Sequence, residues 1–211
     1  MNTQAQNIQT AGTPAAEAKK AIVMLHGRGS TAGDILSLGK HLDLNDTALF
    51  APQAANYSWY PNSFIAPVAS NQPALDTSLT VIGNLVNEII GQGIPANQIY
   101  FLGFSQGACL ALEYVTRNAK QYGGVIAFTG GLIGQVLETI NYSGDFNNTP
   151  VLITTGDPDA HVPLSRVNES VAILQGMTAD VTLKVYKGRQ HTIQLEEIEL
   201  AKALIHKSTA A

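Results

Sequence analysis

The sequence predicts a single α/β domain: a mostly parallel central sheet with helices on both faces. Three observations carry that expectation. Short continuous apolar runs recur along the chain, as expected of strands buried on both sides. Amphipathic stretches of helical period lie between several of them, the alternation that produces βαβ units. With 211 residues, 45% of them hydrophobic, the chain can bury one sizeable core, and no internal repeat or low-complexity linker divides it.

Residues 1–20 are polar and Ala-rich and are expected as a flexible N-terminal leader, with residues 21–211 as the folded domain. "AIVML" at 21–25 is the first strand, and "ALFAP" at 48–52 is a second, stopped by Pro52. The stretch 53–75, rich in Asn, Ser, Pro and aromatics, reads as a long loop. Leu79, Ile82, Leu85, Val86, Ile89 and Ile90 follow helical spacing, and Gly91 and Gly93 end that helix. "IYFLGF" at 99–104 is a strand, and Ala108, Ala111, Leu112 and Val115 give the next helix its apolar face. "VIAFTG" at 125–130 and "VLITTG" at 151–156 are further strands. A helical pattern follows Pro163 as far as residue 175. "VTLKVY" at 181–186 alternates as the last strand, and "TIQLEEIELAKALIHK" closes the chain as an amphipathic helix. No insertion is large enough for a separate cap domain.

Composition removes several classes of function. The net charge is −4 and no basic run exceeds Lys19–Lys20, so nucleic-acid binding has no electrostatic support. The single cysteine, Cys109, leaves no intramolecular disulfide and no cysteine-rich zinc site. No apolar run approaches the roughly 20 residues of a membrane span, and the first residues lack a signal-peptide pattern. A cytoplasmic protein, monomeric or homodimeric, with a small-molecule partner and no cofactor, is the expectation.

The informative stretch is "FLGFSQGACL". A G-x-S-x-G pattern alone is weak, but here a strand runs directly into Ser105 and a helix starts directly after it. That context suits a nucleophile held on a tight, strained turn, with Gly103 and Gly107 removing Cβ atoms that would clash. The helix starting at Gln106 aims unpaired N–H groups at the serine oxygen, so Gln106 matters for its backbone N–H. A serine hydroxyl needs a base. His191, in "KGRQHT" between the last strand and the last helix, lies on the same rim of the sheet, whereas His206 falls inside the closing helix. The orienting acid belongs in the loop after "VLITTG", which offers Asp157 and Asp159, and spacing does not separate them. Asp157, Asp159 and His161 together resemble a metal-ligand set, but acidic loops of this kind are common and no metal is expected. The second oxyanion donor is placed at the amide of Arg28 in "LHGRGS", with His26 as a buried support of that turn. Candidate pocket walls are Trp59, Tyr60 and Phe64 in the long loop, Leu132 and Ile133 after "FTGG", and Val162. Cys109, one helical turn past the serine, reads as a packed small apolar residue.

"LHGRGS", "GFSQGACLAL", "GDPDAHVP" and "KGRQHT" resemble, in order, the motifs of the carboxylesterase/phospholipase family that includes acyl-protein thioesterases, within the α/β-hydrolase superfamily. The resemblance runs through nearly the whole chain after residue 20. It implies an α/β-hydrolase catalytic domain with Ser105 as nucleophile, Asp159 rather than Asp157 as acid, and His191 as base. The amides of Arg28 and Gln106 would form the oxyanion hole. It implies a serine carboxylesterase, and the lack of a cap-sized insertion favours small, short- to medium-chain acyl esters as its substrates. The alternatives are a thioesterase or lysophospholipase, or a hydrolase fold kept for binding alone. The chain departs from the family where acyl-protein thioesterases carry Leu at the position of Arg28, and in "GRQH", which replaces a Gly/Met-rich stretch. Both departures bear on the substrate.

Overall fold

A computed structural model describes residues 7–207. Its strands are β1 (Ile8–Gly12), β2 (Lys20–Leu25), β3 (Thr47–Pro52), β4 (Ile99–Phe104), β5 (Gly124–Phe128), β6 (Pro150–Asp157) and β7 (Asp180–Lys187). They form one sheet in the order β1-β3-β2-β4-β5-β6-β7. Only β1 is antiparallel to its neighbour, and the other pairs are parallel. The helices are α1 (Ala32–Ser37), α2 (Ala74–Gly91), α3 (Gln106–Arg117), α4 (Leu164–Gly176) and α5 (Leu195–Lys207).

The strands alternate their side chains between two cores. Val23, Phe101, Val125 and Ile153 pack with α2, α3 and α4 on one face of the sheet. Ile22, Met24, Tyr100, Leu102, Ile126 and Leu152 pack with α1 and α5 on the other. The continuous apolar runs of β2 and β4 are explained by this double coverage. β7 is an edge strand, and its partly exposed alternation includes Lys184 and Lys187, which discourage further pairing. α3 sits at the centre of the first core and is buried from Gln106 to Thr116. Its run of small and apolar residues from Ala108 to Leu112 suits this burial, and its buried Gln106 and Glu113 are held by hydrogen bonds.

Two elements depart from the sequence-based expectation. Part of the expected leader is structured: Ile8–Gly12 pairs with β3, from Ile8↔Pro52 to Gly12↔Ala48. Backbone hydrogen bonds tie down the following turn as well, with Thr13 N–H donating to the Thr47 carbonyl at 2.9 Å. The pattern was invisible because four of its five residues are exposed. It gains from covering a sheet edge, not from an apolar face. Residues 1–6 of the expected leader lie outside the described residues. The other is α1, which is short but carries a reciprocal cap. Thr31 Oγ1 accepts from Asp34 N–H at 3.1 Å, and Asp34 Oδ2 accepts from Thr31 N–H at 2.9 Å.

Among the described residues, no helix is long and apolar enough to cross a membrane. The parallel order brings the loops after β2, β4, β6 and β7 to the carboxyl rim of the sheet, where open α/β folds place their sites.

Candidate active site

Ser105 stands between β4 and α3 with φ 54° and ψ −117°. An L-residue in such a conformation carries strain of order 1–3 kcal/mol. One or two of the fully buried side chains around it, at roughly 1.5–3 kcal/mol each, suffice to offset that. The turn needs its glycines for sterics. A Cβ on Gly107 would run into the carbonyls of Leu25 and His26, and one on Gly103 would run into the backbone of Gly107 and Ala108.

The rim loops bring three predicted residues into one hydrogen-bonded line. His191 Nε2 lies 2.8 Å from Ser105 Oγ, and His191 Nδ1 lies 2.9 Å from Asp159 Oδ2. Asp159 is fully buried at its side chain, while His191 is 21% exposed. The second carboxylate oxygen, Oδ1, accepts from the amides of His161 and Val162 at 2.8 and 2.9 Å. Burial alone would push the Asp159 carboxyl up. The hydrogen bonds from His191, His161 and Val162, with the imidazole's charge, outweigh it and hold the group below the usual carboxylate range. Asp157 is exposed at the end of β6, where its backbone carbonyl accepts from Gly188 N–H at 2.9 Å. The imidazole of His191 also packs against Phe104 and His161, with ring centres at 5.2 and 4.9 Å.

The loop that carries His191 rests on a buried ion pair that sequence reading did not anticipate. Arg189 Nη1 lies 3.6 Å from Glu197 Oε2, and both side chains are essentially inaccessible. Arg189 also donates to the carbonyls of Gln190 and Thr192, on either side of His191, and to Thr129 Oγ1 at 2.8 Å. Glu197 accepts from Thr154 Oγ1 and from Gln194 N–H. An arginine in "GRQH" facing a glutamate in the first turn of the closing helix was the available signal. Removing one member of a buried pair strands a charge, so Arg189→Met should cost about 3–5 kcal/mol of unfolding free energy by urea titration. Adding Glu197→Leu should recover most of it, because the stranded carboxylate goes too. A single variant as stable as the parent would show that the pair does not hold this loop.

Arg28 and Gln106 meet the long loop through their side chains. Arg28 donates to Ser58 Oγ, the Pro61 carbonyl and the Asn62 carbonyl at 3.0, 2.9 and 2.7 Å. Gln106 Oε1 accepts from Trp59 N–H at 3.0 Å, and its Nε2 donates to the Tyr60 carbonyl at 2.8 Å. The Gln106 side chain therefore ties the start of α3 to the long loop. His26 is buried beneath the same turn. Its Nε2 accepts from Ala54 N–H at 3.1 Å and its Nδ1 faces the Gly27 carbonyl at 2.8 Å. Burial pushes its imidazole pKa down, in keeping with that neutral, bonded state.

A cleft of about 780 Å³ opens over Ser105, and Tyr60, Phe64, Ile65, Phe104 and Val162 give it apolar walls. Trp59, Leu132 and Ile133, expected as walls, are buried instead and do not line it. Trp59 turns inward to donate from Nε1 to the His26 carbonyl at 2.8 Å. The amides of Leu132 and Ile133 are held by Ser170 Oγ and Glu113 Oε2 beneath the surface. Cys109 is buried at the cleft floor and burial pushes its thiol up to about 12, the state of an inert packing residue. Among the described residues, no group of three or more His, Cys, Asp or Glu side chains is placed to hold a metal ion.

A parallel sheet flanked by helices, with a serine raised on the turn from its central strand to a buried helix, is the architecture of the α/β hydrolases. The chain belongs to the phospholipase/carboxylesterase family, whose model matches residues 6–209. It is therefore a member of a hydrolase family that contains esterases and thioesterases. It is 62% identical to a phospholipase/carboxylesterase from Dyadobacter fermentans of known crystal structure, over 98% of this chain and 99% of that one, with a TM-score of 0.94. It is 29% identical to acyl-protein thioesterase 1 of Saccharomyces cerevisiae, over 92% of this chain and 95% of the yeast protein. A probable carboxylesterase of Arabidopsis thaliana, SOBER1-like, is 28% identical over 86% of this chain and 76% of its own length.

Proposed function

We propose that the protein is a serine carboxylesterase that hydrolyses small esters of short to medium acyl chain through an acyl-enzyme. The observation that carries the reading is the unbroken line from Ser105 Oγ through the His191 imidazole to Asp159, at 2.8 and 2.9 Å. In this scheme His191 Nε2 takes the hydroxyl proton as Oγ attacks the ester carbonyl, and then gives it to the leaving alcohol. Asp159 fixes the tautomer with the proton on Nδ1 and stabilises the imidazolium. The amides of Gln106 and Arg28 stabilise the oxyanion, each by roughly 2.7–4 kcal/mol if they match oxyanion donors elsewhere. Water, activated by the same imidazole, then releases the acid. The cleft is open, and no cap domain covers it among the described residues, which favours compact esters.

A thioesterase reading draws support from the likeness to the yeast acyl-protein thioesterase and uses the same groups. Matched esters and thioesters of increasing acyl length separate the two. The carboxylesterase reading expects the best kcat/KM on short oxygen esters, with a decline as the chain lengthens. A fluorophosphonate probe should label the wild-type protein at Ser105. Its failure to react, in protein shown to be folded, would make this a hydrolase fold used for binding alone.

A further inference from the structure

The chain has four arginines, and three of them face a carboxylate. Arg117 pairs with Glu113 at 2.7 Å, Arg166 with Glu169 at 2.9 Å and Arg189 with Glu197 at 3.6 Å. Arg28 has no such partner among the described residues. Its three hydrogen bonds run to two backbone carbonyls and one hydroxyl, which are neutral acceptors. They hold the guanidinium in place and leave its full charge uncompensated. Two of its five N–H donors, Nε–H and one on Nη2, remain unused by these bonds. The side chain is exposed and lines the cleft over Ser105, with its guanidinium carbon 6.0 Å from the centre of the Tyr60 ring.

The rest of the cleft lining adds no opposing charge. Its only other ionisable side chains of ordinary carboxylate, imidazole or basic type are His161 and His191, and no carboxylate lines it. Asp159 lies behind His191 with both oxygens occupied. A chain of net charge −4 thus presents a fixed cation and no lining anion at the mouth of its candidate active site. A fixed guanidinium with spare donors is a site for planar anions. It raises the local concentration of negatively charged ligands and discriminates against positive ones.

We propose that Arg28 is a specificity-determining residue that selects esters carrying a carboxylate near the scissile bond. The proposal rests on the serine-esterase reading and adds the substrate's charge to it. Hydrolysis would then add the water's hydroxyl to the acyl carbon and its hydrogen to the alcohol oxygen. The product is a dicarboxylic acid when the carboxylate sits on the acyl part, and a carboxylate-bearing alcohol when it sits on the other part.

The test compares each anionic ester with a neutral one of nearly the same shape. On the acyl side the pair is 4-nitrophenyl adipate monoester and its primary amide, 4-nitrophenyl adipamate. On the alcohol side it is 4-acetoxybenzoate and 4-acetoxybenzamide. In at least one pair the wild-type protein should favour the anionic member by about five- to tenfold in kcat/KM at low salt, the scale of one charge-assisted bond at an open site. The preference should appear in KM and shrink as sodium chloride is raised. Arg28→Met should bring the anionic-to-neutral ratio close to one, and Arg28→Lys should keep part of it. The ratio cancels any loss that comes from loosening the 58–62 loop. A wild-type protein that turns over neutral members equally well or better in both pairs overturns the proposal and leaves the esterase reading intact. So does a preference that survives in Arg28→Met. No turnover of any of the four esters, in protein that also resists fluorophosphonate, overturns the esterase reading and this proposal with it.

Discussion

On the proposed serine mechanism, Ser105→Ala should lower kcat for ester hydrolysis by about 10⁴- to 10⁶-fold, the scale of removing the nucleophile in Ser-His-Asp enzymes. The expectation is specific because the variant should otherwise be nearly the same molecule. Alanine at φ 54° bears much the same strain as serine, since both are L-residues with a Cβ. The turn's steric demands fall on Gly103 and Gly107, which are untouched. The loss is one hydroxyl and its 2.8 Å bond to His191. Melting temperature should therefore shift little while turnover collapses, and the cleft should still bind substrate. Residual rate above water would come from the two amides and from positioning. Circular dichroism, thermal unfolding and single-turnover kinetics on one short ester suffice. A folded variant that keeps about one per cent or more of wild-type kcat would mean that another group attacks the carbonyl.

The parts legible in the sequence are those set by local pattern. β2, β4, β5 and β6 are double-covered strands, and their unbroken apolar runs announced them. Ser105 and His191 could be located because each sits at the junction of a strand with the helix after it. The choice between Asp157 and Asp159 was not legible from spacing. The two are separated by which one turns inward, and that depends on the amides of His161 and Val162 closing around one carboxylate. The edge strand β1 was hidden for a related reason. Its stability comes from the exposed flank of β3, which its own residues do not record. Trp59 was misplaced as a wall because an aromatic in a loop gives no sign of which way it faces. A buried carbonyl of His26 draws its indole inward. The side-chain roles of Arg28, Gln106 and Arg189 are long-range bonds to loops distant in sequence, and no periodicity encodes them.

Asp159→Asn should be nearly as damaging to turnover, about 10⁴-fold in kcat, through the tautomer and not through the fold. In the wild-type arrangement Asp159 Oδ2 can only accept, so His191 holds its proton on Nδ1 and leaves Nε2 free to take one from Ser105. An asparagine keeps an oxygen for the amides of His161 and Val162, and that requirement fixes its orientation. Its NH₂ then faces Nδ1 and makes that nitrogen the acceptor. The proton moves to Nε2, which points at Ser105 and can no longer act as base. KM should change little, since the cleft walls are unaltered. The same substitution has a sign-defined effect on stability. The Asp159 carboxyl is held below its ordinary value in the folded state, so it binds a proton more readily when unfolded. Its contribution is therefore present above the unfolded value and is lost as pH falls through the lower folded value. Wild-type protein should exceed Asp159→Asn in urea stability near neutral pH, and the gap should narrow below about pH 4. A gap that widened on acidification would contradict the hydrogen-bonded, ionised carboxylate on which the mechanism depends. Loss of kcat matched by an equal loss of fluorophosphonate labelling would show that the defect lies in activating Ser105, the step that a wrong tautomer blocks.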